Sequence, residues 1–101
     1  MPAEETESFL LRILTPQGEI LQGPVEALQA QGLLGAFEVL PGHEPLLASL
    51  AAGPLVVKQV EQENEETYRL TGGFMKIGRD KVLVLADSVE RAEEAAPDDP
   101  A

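Results

Sequence analysis

The sequence predicts an all-β protein, a β-sandwich of about ten strands or a partly open barrel. Short segments in which apolar and polar residues alternate follow one another along the chain, which is the pattern of strands with one buried face. Glycine or proline interrupts these segments about every 8–12 residues, as is typical of turns between short strands. With 101 residues and an apolar fraction of 44%, the chain is long enough for one domain with a single core.

The first half of the chain contains five predicted strands. They lie at residues 8–14, 19–22, 25–30, 36–40 and 46–50. In the first strand Phe9, Leu11 and Ile13 occupy every second position, so they are predicted to share a buried face. Gly23-Pro24 is predicted to end the second strand, because proline cannot donate a hydrogen bond to a sheet.

The most distinctive segment is Phe37–Leu47. A strand-like run stops at Pro41-Gly42, His43 follows, and Pro45 opens the next apolar run. Proline fixes φ, and glycine relieves crowding where the chain bends. We therefore expect a stiff corner that neither a strand nor a helix crosses, with a surface suited to docking rather than to chemistry.

The second half contains four further predicted strands, at residues 55–60, 66–71, 74–77 and 81–86. The acidic segment Glu61–Glu66 is predicted to be a solvated hairpin tip, and Gly72-Gly73 a bulge or tight crossing. Val82–Leu85 is apolar at every position. A strand of this kind is predicted to be central and covered on both faces.

The end of the chain has a different pattern. Asp87 and Glu90 have the spacing of a helix capping box, and Arg91–Ala96 contains good helix formers before Pro97. We therefore predict a disordered leader at residues 1–7, a sandwich domain at 8–87, and a short helical stub with an acidic tail at 88–101.

Composition excludes several function classes. The formal net charge is −11, and the acidic residues concentrate in the leader, at the predicted hairpin tip and in the tail. Binding to nucleic acid is disfavoured because phosphate neutralisation needs clustered lysine and arginine. The chain has no cysteine, and no apolar run approaches the ~20 residues that span a bilayer.

Two features are candidates for function. His43 is the only histidine, and no serine or cysteine nucleophile and no set of metal ligands accompanies it in sequence. It is either a turn residue bonded to nearby backbone or part of a docking surface. Leu33 and Leu34, in a glycine-flanked loop, either fold back onto the core or form an exposed apolar contact. Of Leu46 and Leu47, one is expected in the core and the other at an interface.

The motifs taken together resemble the ε subunit family of F-type ATP synthases. The matching segments, in the same order and spacing, are LTPQGEIL at 14–21, the Gly-x-x-Gly-x-Phe-Glu-Val-Leu-Pro-Gly-His-x-Pro-Leu-Leu run at 32–47, LTGGFMKI at 70–77 and VLVLADSVERAEE at 82–94. The resemblance covers roughly residues 8–94 and implies a ten-stranded β-sandwich without an active site or cofactor. It implies a subunit of the rotor's central stalk that attaches the γ subunit to the membrane c-ring and so couples ion-driven rotation to ATP synthesis.

The resemblance also implies where the partners bind. A γ-subunit contact is expected at Pro41, Gly42, His43, Pro45 and Leu46, and a contact with the polar loops of the c-ring at Leu33, Leu34, Ala36 and Glu38. Localisation is expected at the cytoplasmic side of a bacterial plasma membrane, as a peripheral part of the complex.

Two departures from the family pattern limit the resemblance. The family's usual C-terminal helical hairpin, with its inhibitory and nucleotide-sensing roles, has no matching sequence, so those roles are not expected. A carboxylate that relatives often carry is replaced by Ala36, and we hypothesise that Glu38, two residues along the same strand face, takes over part of its charge complementarity. The alternative function is a free-standing β-sandwich adaptor or ligand-binding module; a hydrolase using His43 and Glu44 is disfavoured.

Overall fold

The computed structural model describes residues 7–91, and these form an all-β sandwich, as the sequence predicts. The nine strands are β1 (Phe9–Thr15), β2 (Gly18–Gly32), β3 (Gly35–Val39), β4 (Leu46–Leu50), β5 (Gly53–Gln59), β6 (Glu66–Leu70), β7 (Gly73–Ile77), β8 (Lys81–Ala86) and β9 (Val89–Arg91). Among these residues there is no helix long and apolar enough to cross a membrane.

The strands form one continuous hydrogen-bonded sheet that folds over into two layers. Sheet I contains β4, β7, β8, β1 and the first half of β2, and its β1–β8 pair is parallel. Sheet II contains β3, the second half of β2, β5, β6 and β9. Because β2 belongs to both layers, each layer has five strands, which accounts for the ten that the resemblance implies.

The core lies between the two layers and is entirely apolar among the described residues. Phe9, Leu11 and Ile13 of β1 are buried, which confirms the predicted alternation. In β2 the register shifts between Val25 and Ala27. Such a bulge changes which side of a strand faces inward. The buried members are Phe9, Leu11, Ile13, Val25, Leu28, Ala30, Val39, Leu50, Leu55, Val57, Tyr68, Leu70, Met75, Ile77, Val82, Val84 and Ala86.

The predicted break at Gly23-Pro24 is wrong, because both residues lie inside the 15-residue strand β2. Proline is tolerated where a ladder bond is not required. Pro24 pairs with Leu10 of β1, and the pairing with β1 ends one residue later at Val25, where the pairing with β5 begins. The Pro24 carbonyl still accepts a bond from the Val60 amide at 3.3 Å.

The tight crossing predicted at Gly72-Gly73 is confirmed. Gly73 has φ +150°, and a Cβ added to it would lie 2.0 Å from the carbonyl oxygen of Leu85 on the neighbouring strand. No side chain fits at that distance. Gly73 therefore permits β7 and β8 to approach each other closely.

Two predictions for the end of the sandwich are wrong. Val89–Arg91 is a strand paired with β6, not the first turn of a helix; residues 92–101 lie outside the described part. β8 is central within its sheet, between β1 and β7, but only its inner face is covered. Leu85, which points outward, is 46% exposed.

Candidate functional site

An apolar groove of about 490 Å³ lies along β4 on the side facing β3. Its walls come from the β2–β3 turn, from β3, and from the segment that leads into β4. The lining residues are Gly32, Leu33, Leu34, Gly35, Phe37, Glu38, His43, Leu46, Leu47, Ala48 and Ser49; we call this surface the groove. Leucine and phenylalanine side chains make up most of its walls.

The corner predicted at Pro41-Gly42 is confirmed and forms one end of the groove. The His43 amide donates to the Leu40 carbonyl at 3.2 Å, and Gly42 has φ +83°. Proline followed by a residue with positive φ is the arrangement of a type II turn. The His43 Nδ1–H donates to the Glu44 carbonyl at 2.7 Å, which orients the imidazole beside its own backbone.

The loop leucines are exposed rather than folded onto the core. Leu33 is 67% exposed and Leu34 is fully exposed, so the alternative of a core role is excluded. Leu46 and Leu47 are 50% and 69% exposed, so the prediction that one of them enters the core is wrong. Four leucines therefore lie on the surface within one groove.

The groove is lined by residues from both of the contacts that the resemblance implies, the one with the γ subunit and the one with the c-ring. His43 and Leu46, predicted to contact γ, line it together with Leu33, Leu34 and Glu38, predicted to contact the c-ring. The remaining predicted residues, Ala36, Pro41, Gly42 and Pro45, are not part of its lining. Ala36 and Glu38 are exposed on β3, opposite Gln31 and Gln29 of β2.

A second apolar surface, which the sequence pattern did not reveal, continues from β4 across the outer side of sheet I. Phe74 is 54% exposed, and its cross-strand neighbours are Leu85 and Ser49. Leu85 in turn pairs with Leu14. We call Leu14, Phe74, Leu83 and Leu85 the apolar face. The Val82–Leu85 run is the signal that could have revealed the apolar face, but an uninterrupted apolar run predicts a strand that is covered on both faces.

Three positively charged side chains flank the apolar face. Arg12, Lys76 and Lys81 point outward beside it, and Arg12 pairs with Glu19 at 3.0 Å. No group of three or more His, Asp or Glu side chains in residues 7–91 is placed to hold a metal ion.

Tyr68, a titratable residue with a raised pKa, lies on β6 and does not line the groove. Burial raises the pKa of Tyr68 to about 12, and the hydrogen bond to the Glu66 carboxylate adds to the effect. Both causes favour the neutral phenol. This group is placed to hold structure together, not to exchange protons with a substrate.

Comparison with known proteins identifies the fold and the family. Residues 8–92 match the model of the ATP synthase delta/epsilon chain β-sandwich domain. A chain of the Euglena gracilis mitochondrial ATP synthase, solved as an OSCP/F1/c-ring assembly, superposes with a TM-score of 0.79 at 26% identity, covering 88% of this chain and 58% of that one. A chain from the Tetrahymena thermophila central stalk/c-ring structure superposes with a TM-score of 0.71 at 15% identity, covering 83% and 66%.

Relatives found by sequence comparison are named ATP synthase epsilon chains. The epsilon chain of Moorella thermoacetica ATP synthase is 40% identical over 87 residues, covering 86% of this chain but 64% of the relative. The epsilon chain of Chlorobaculum tepidum is 36% identical over 87 residues, covering 86% of this chain and 98% of the relative. The sandwich, its motifs and these matches agree, and the chain belongs to the family of ATP synthase epsilon chains, of which it contains the β-sandwich domain.

Proposed function

We propose that this chain is a non-catalytic subunit of the central stalk of an F-type ATP synthase. In this role it attaches the γ subunit to the c-ring and so transmits ion-driven rotation to ATP synthesis. Family membership and the stalk assemblies among its structural neighbours support the assignment. The observation that carries it is the apolar groove, which lies beside the apolar face on the outside of the sandwich.

The γ subunit is proposed to bind at the corner, residues Pro41–Leu46, and along the apolar face. Leu46 and Leu47 connect these two regions. Both line the groove beside the corner, and Leu47 pairs with Lys76 on the outer side of sheet I. Exposed apolar surface of this extent is typical of protein–protein contacts. A few aromatic or leucine anchors supply most of the affinity at such an interface.

The c-ring is proposed to bind the opposite wall of the groove, at Leu33, Leu34 and Glu38, and the neighbouring Ala36, which lies outside the groove lining. Glu38 is exposed on the same face of β3 as Ala36, so its carboxylate is available to a basic loop. A contact of exposed charges is screened by salt, with a Debye length of ~10 Å at 0.1 M. The complex is proposed to hold the chain peripherally at the cytoplasmic side of a bacterial plasma membrane.

Binding to purified γ tests the first contact. The double variant Leu46→Ala, Leu47→Ala is expected to weaken binding at least tenfold, since burying one leucine contributes roughly 1.5–3 kcal/mol. Ile20→Ala is the matched control, because Ile20 is also exposed but lies outside the groove. Failure of the unmodified chain to retain γ would refute the function; equal binding by the double variant would refute only the site.

Binding to purified c-ring tests the second contact. Glu38→Lys is expected to weaken it at low ionic strength and to have less effect at high salt. Glu63→Lys makes the same charge change at an exposed position in the β5–β6 loop and is expected to have no such effect. An unchanged affinity for Glu38→Lys at every salt concentration would rule out the role of this carboxylate.

A further inference from the structure

Strand β9 is the least secured strand of the described sandwich. It has three residues, pairs only with β6, and lies at the outer edge of sheet II. Glu90 and Arg91 are exposed, and Val89 alone is partly buried against the core. Segments with little buried apolar surface and solvent-exposed hydrogen bonds open at the lowest free energy.

Local sequence and structure also disagree at this strand. Asp87 and Glu90 have the spacing of a helix start, yet residues 89–91 are extended. A conflict between local preference and global fold weakens the structure in which it occurs. The extended state of β9 therefore depends on contacts made by other strands.

The Glu66 carboxylate makes the most extensive of these contacts. Its Oε2 accepts from Arg91 Nη2 at 3.2 Å. Its Oε1 accepts from the Tyr68 hydroxyl at 3.0 Å and from Gln59 Nε2 at 2.7 Å. One side chain on β6 thus ties together β5, β6 and β9. At the other end of β9 the Thr71 and Ser88 hydroxyls are 3.2 Å apart.

We propose that β9 is a detachable edge strand that the Glu66 carboxylate latches onto β6. The Arg91 side chain is 58% exposed, so its attraction to Glu66 is screened by salt. Release has two consequences. It frees residues 87–91 from the sheet, and five detached residues form a tether of up to roughly 17 Å. It also uncovers the outer edge of β6 at Arg69, and an unpaired edge is a template for a strand from another chain.

Hydrogen exchange measured by mass spectrometry tests the latch. Arg91→Ala, which removes an exposed ion pair, is expected to speed exchange about two- to fivefold in peptides covering 66–71 and 87–91, and Glu66→Gln at least as much. Exchange in β1, β7 and β8 should stay unchanged. Lys76→Ala removes one cation from the opposite sheet and is the control. In the unmodified chain, raising salt should speed exchange in the same two peptides; in Arg91→Ala it should not.

Tyrosine fluorescence gives an independent readout. Tyr68 is the only tyrosine and the chain has no tryptophan, so its emission reports directly on the latch. Both variants should increase quenching of Tyr68 by acrylamide. Exchange and quenching like those of the unmodified chain would overturn the proposal. So would a uniform rise in exchange across all strands, because β9 would then open only when the whole sandwich unfolds.

Discussion

Replacement of Gly73 by alanine should be among the most damaging single substitutions in this chain. A Cβ at this position would lie 2.0 Å from the Leu85 carbonyl oxygen and 2.9 Å from the Ala86 Cα, both backbone atoms that cannot rotate away. Forcing extra volume into such a contact costs about 1–3 kcal/mol, and holding a non-glycine residue at φ +150° costs about 1–3 kcal/mol more. The expected loss is therefore roughly 2–6 kcal/mol of unfolding free energy.

Gly18→Ala separates the two contributions. Gly18 has φ +132°, but a Cβ added there would have no neighbouring atom within 4 Å, so alanine incurs only the backbone term. Urea denaturation should give a loss of about 1–3 kcal/mol for Gly18→Ala, and about 1–3 kcal/mol more for Gly73→Ala. In a thermal scan the Gly73→Ala variant should have a Tm at least ~8 °C below that of the parent. Equal losses for the two variants would refute the argument from close strand approach.

Three further predictions follow from burial and charge. Leu11→Ala should lower the unfolding free energy by about 2–5 kcal/mol and Leu34→Ala by under ~0.5, as measured by urea denaturation; similar losses would contradict the assigned core. Absorbance should show Tyr68 ionising near pH 12 when folded and near ~10 in urea. Because the raised pKa favours folding only while the phenol is neutral, stability should fall between those values, and a flat profile would contradict this. Sedimentation at low salt should show a monomer, because a net charge of −11 opposes self-association; a stable dimer would be inconsistent.

Strand periodicity was the most reliable guide to the fold. Alternation in β1 identified Phe9, Leu11 and Ile13 as buried because a strand with one solvent face repeats every two residues. Pro41-Gly42 identified the corner because the backbone requirements of that turn are local. Features set by a few adjacent residues were thus predictable.

Features that depend on pairing between distant residues could not be predicted from the sequence. Gly23-Pro24 is a breaker by local rules, yet β2 runs through it, because Pro24 lies where the strand exchanges one partner for another. Asp87 and Glu90 have a helix-start pattern, yet pairing with β6 keeps the following residues extended. In both places the tertiary partner decides between states that the local sequence leaves open.

The candidate site was only partly predictable for a related reason. The apolar run that contains Leu83 and Leu85 indicates two faces that avoid water, but it does not say which chain covers them. The sequence alone suggested cover from within the domain. The structure leaves Leu85 and Phe74 exposed on one side of the sandwich.

The two outer faces of the sandwich differ in a way that supports docking on one of them. The outer side of sheet II presents the exposed polar side chains of Gln29, Glu38 and Arg69, which suit a polar contact such as the one proposed for Glu38. The outer side of sheet I presents the apolar face, flanked by three of the chain's seven cations although the chain carries 18 acidic residues. The net charge of −11 opposes the meeting of two copies of this chain at that face. A different partner, with apolar anchors and carboxylates at its margin, fits that face, and this requirement is independent of the motifs that define the family.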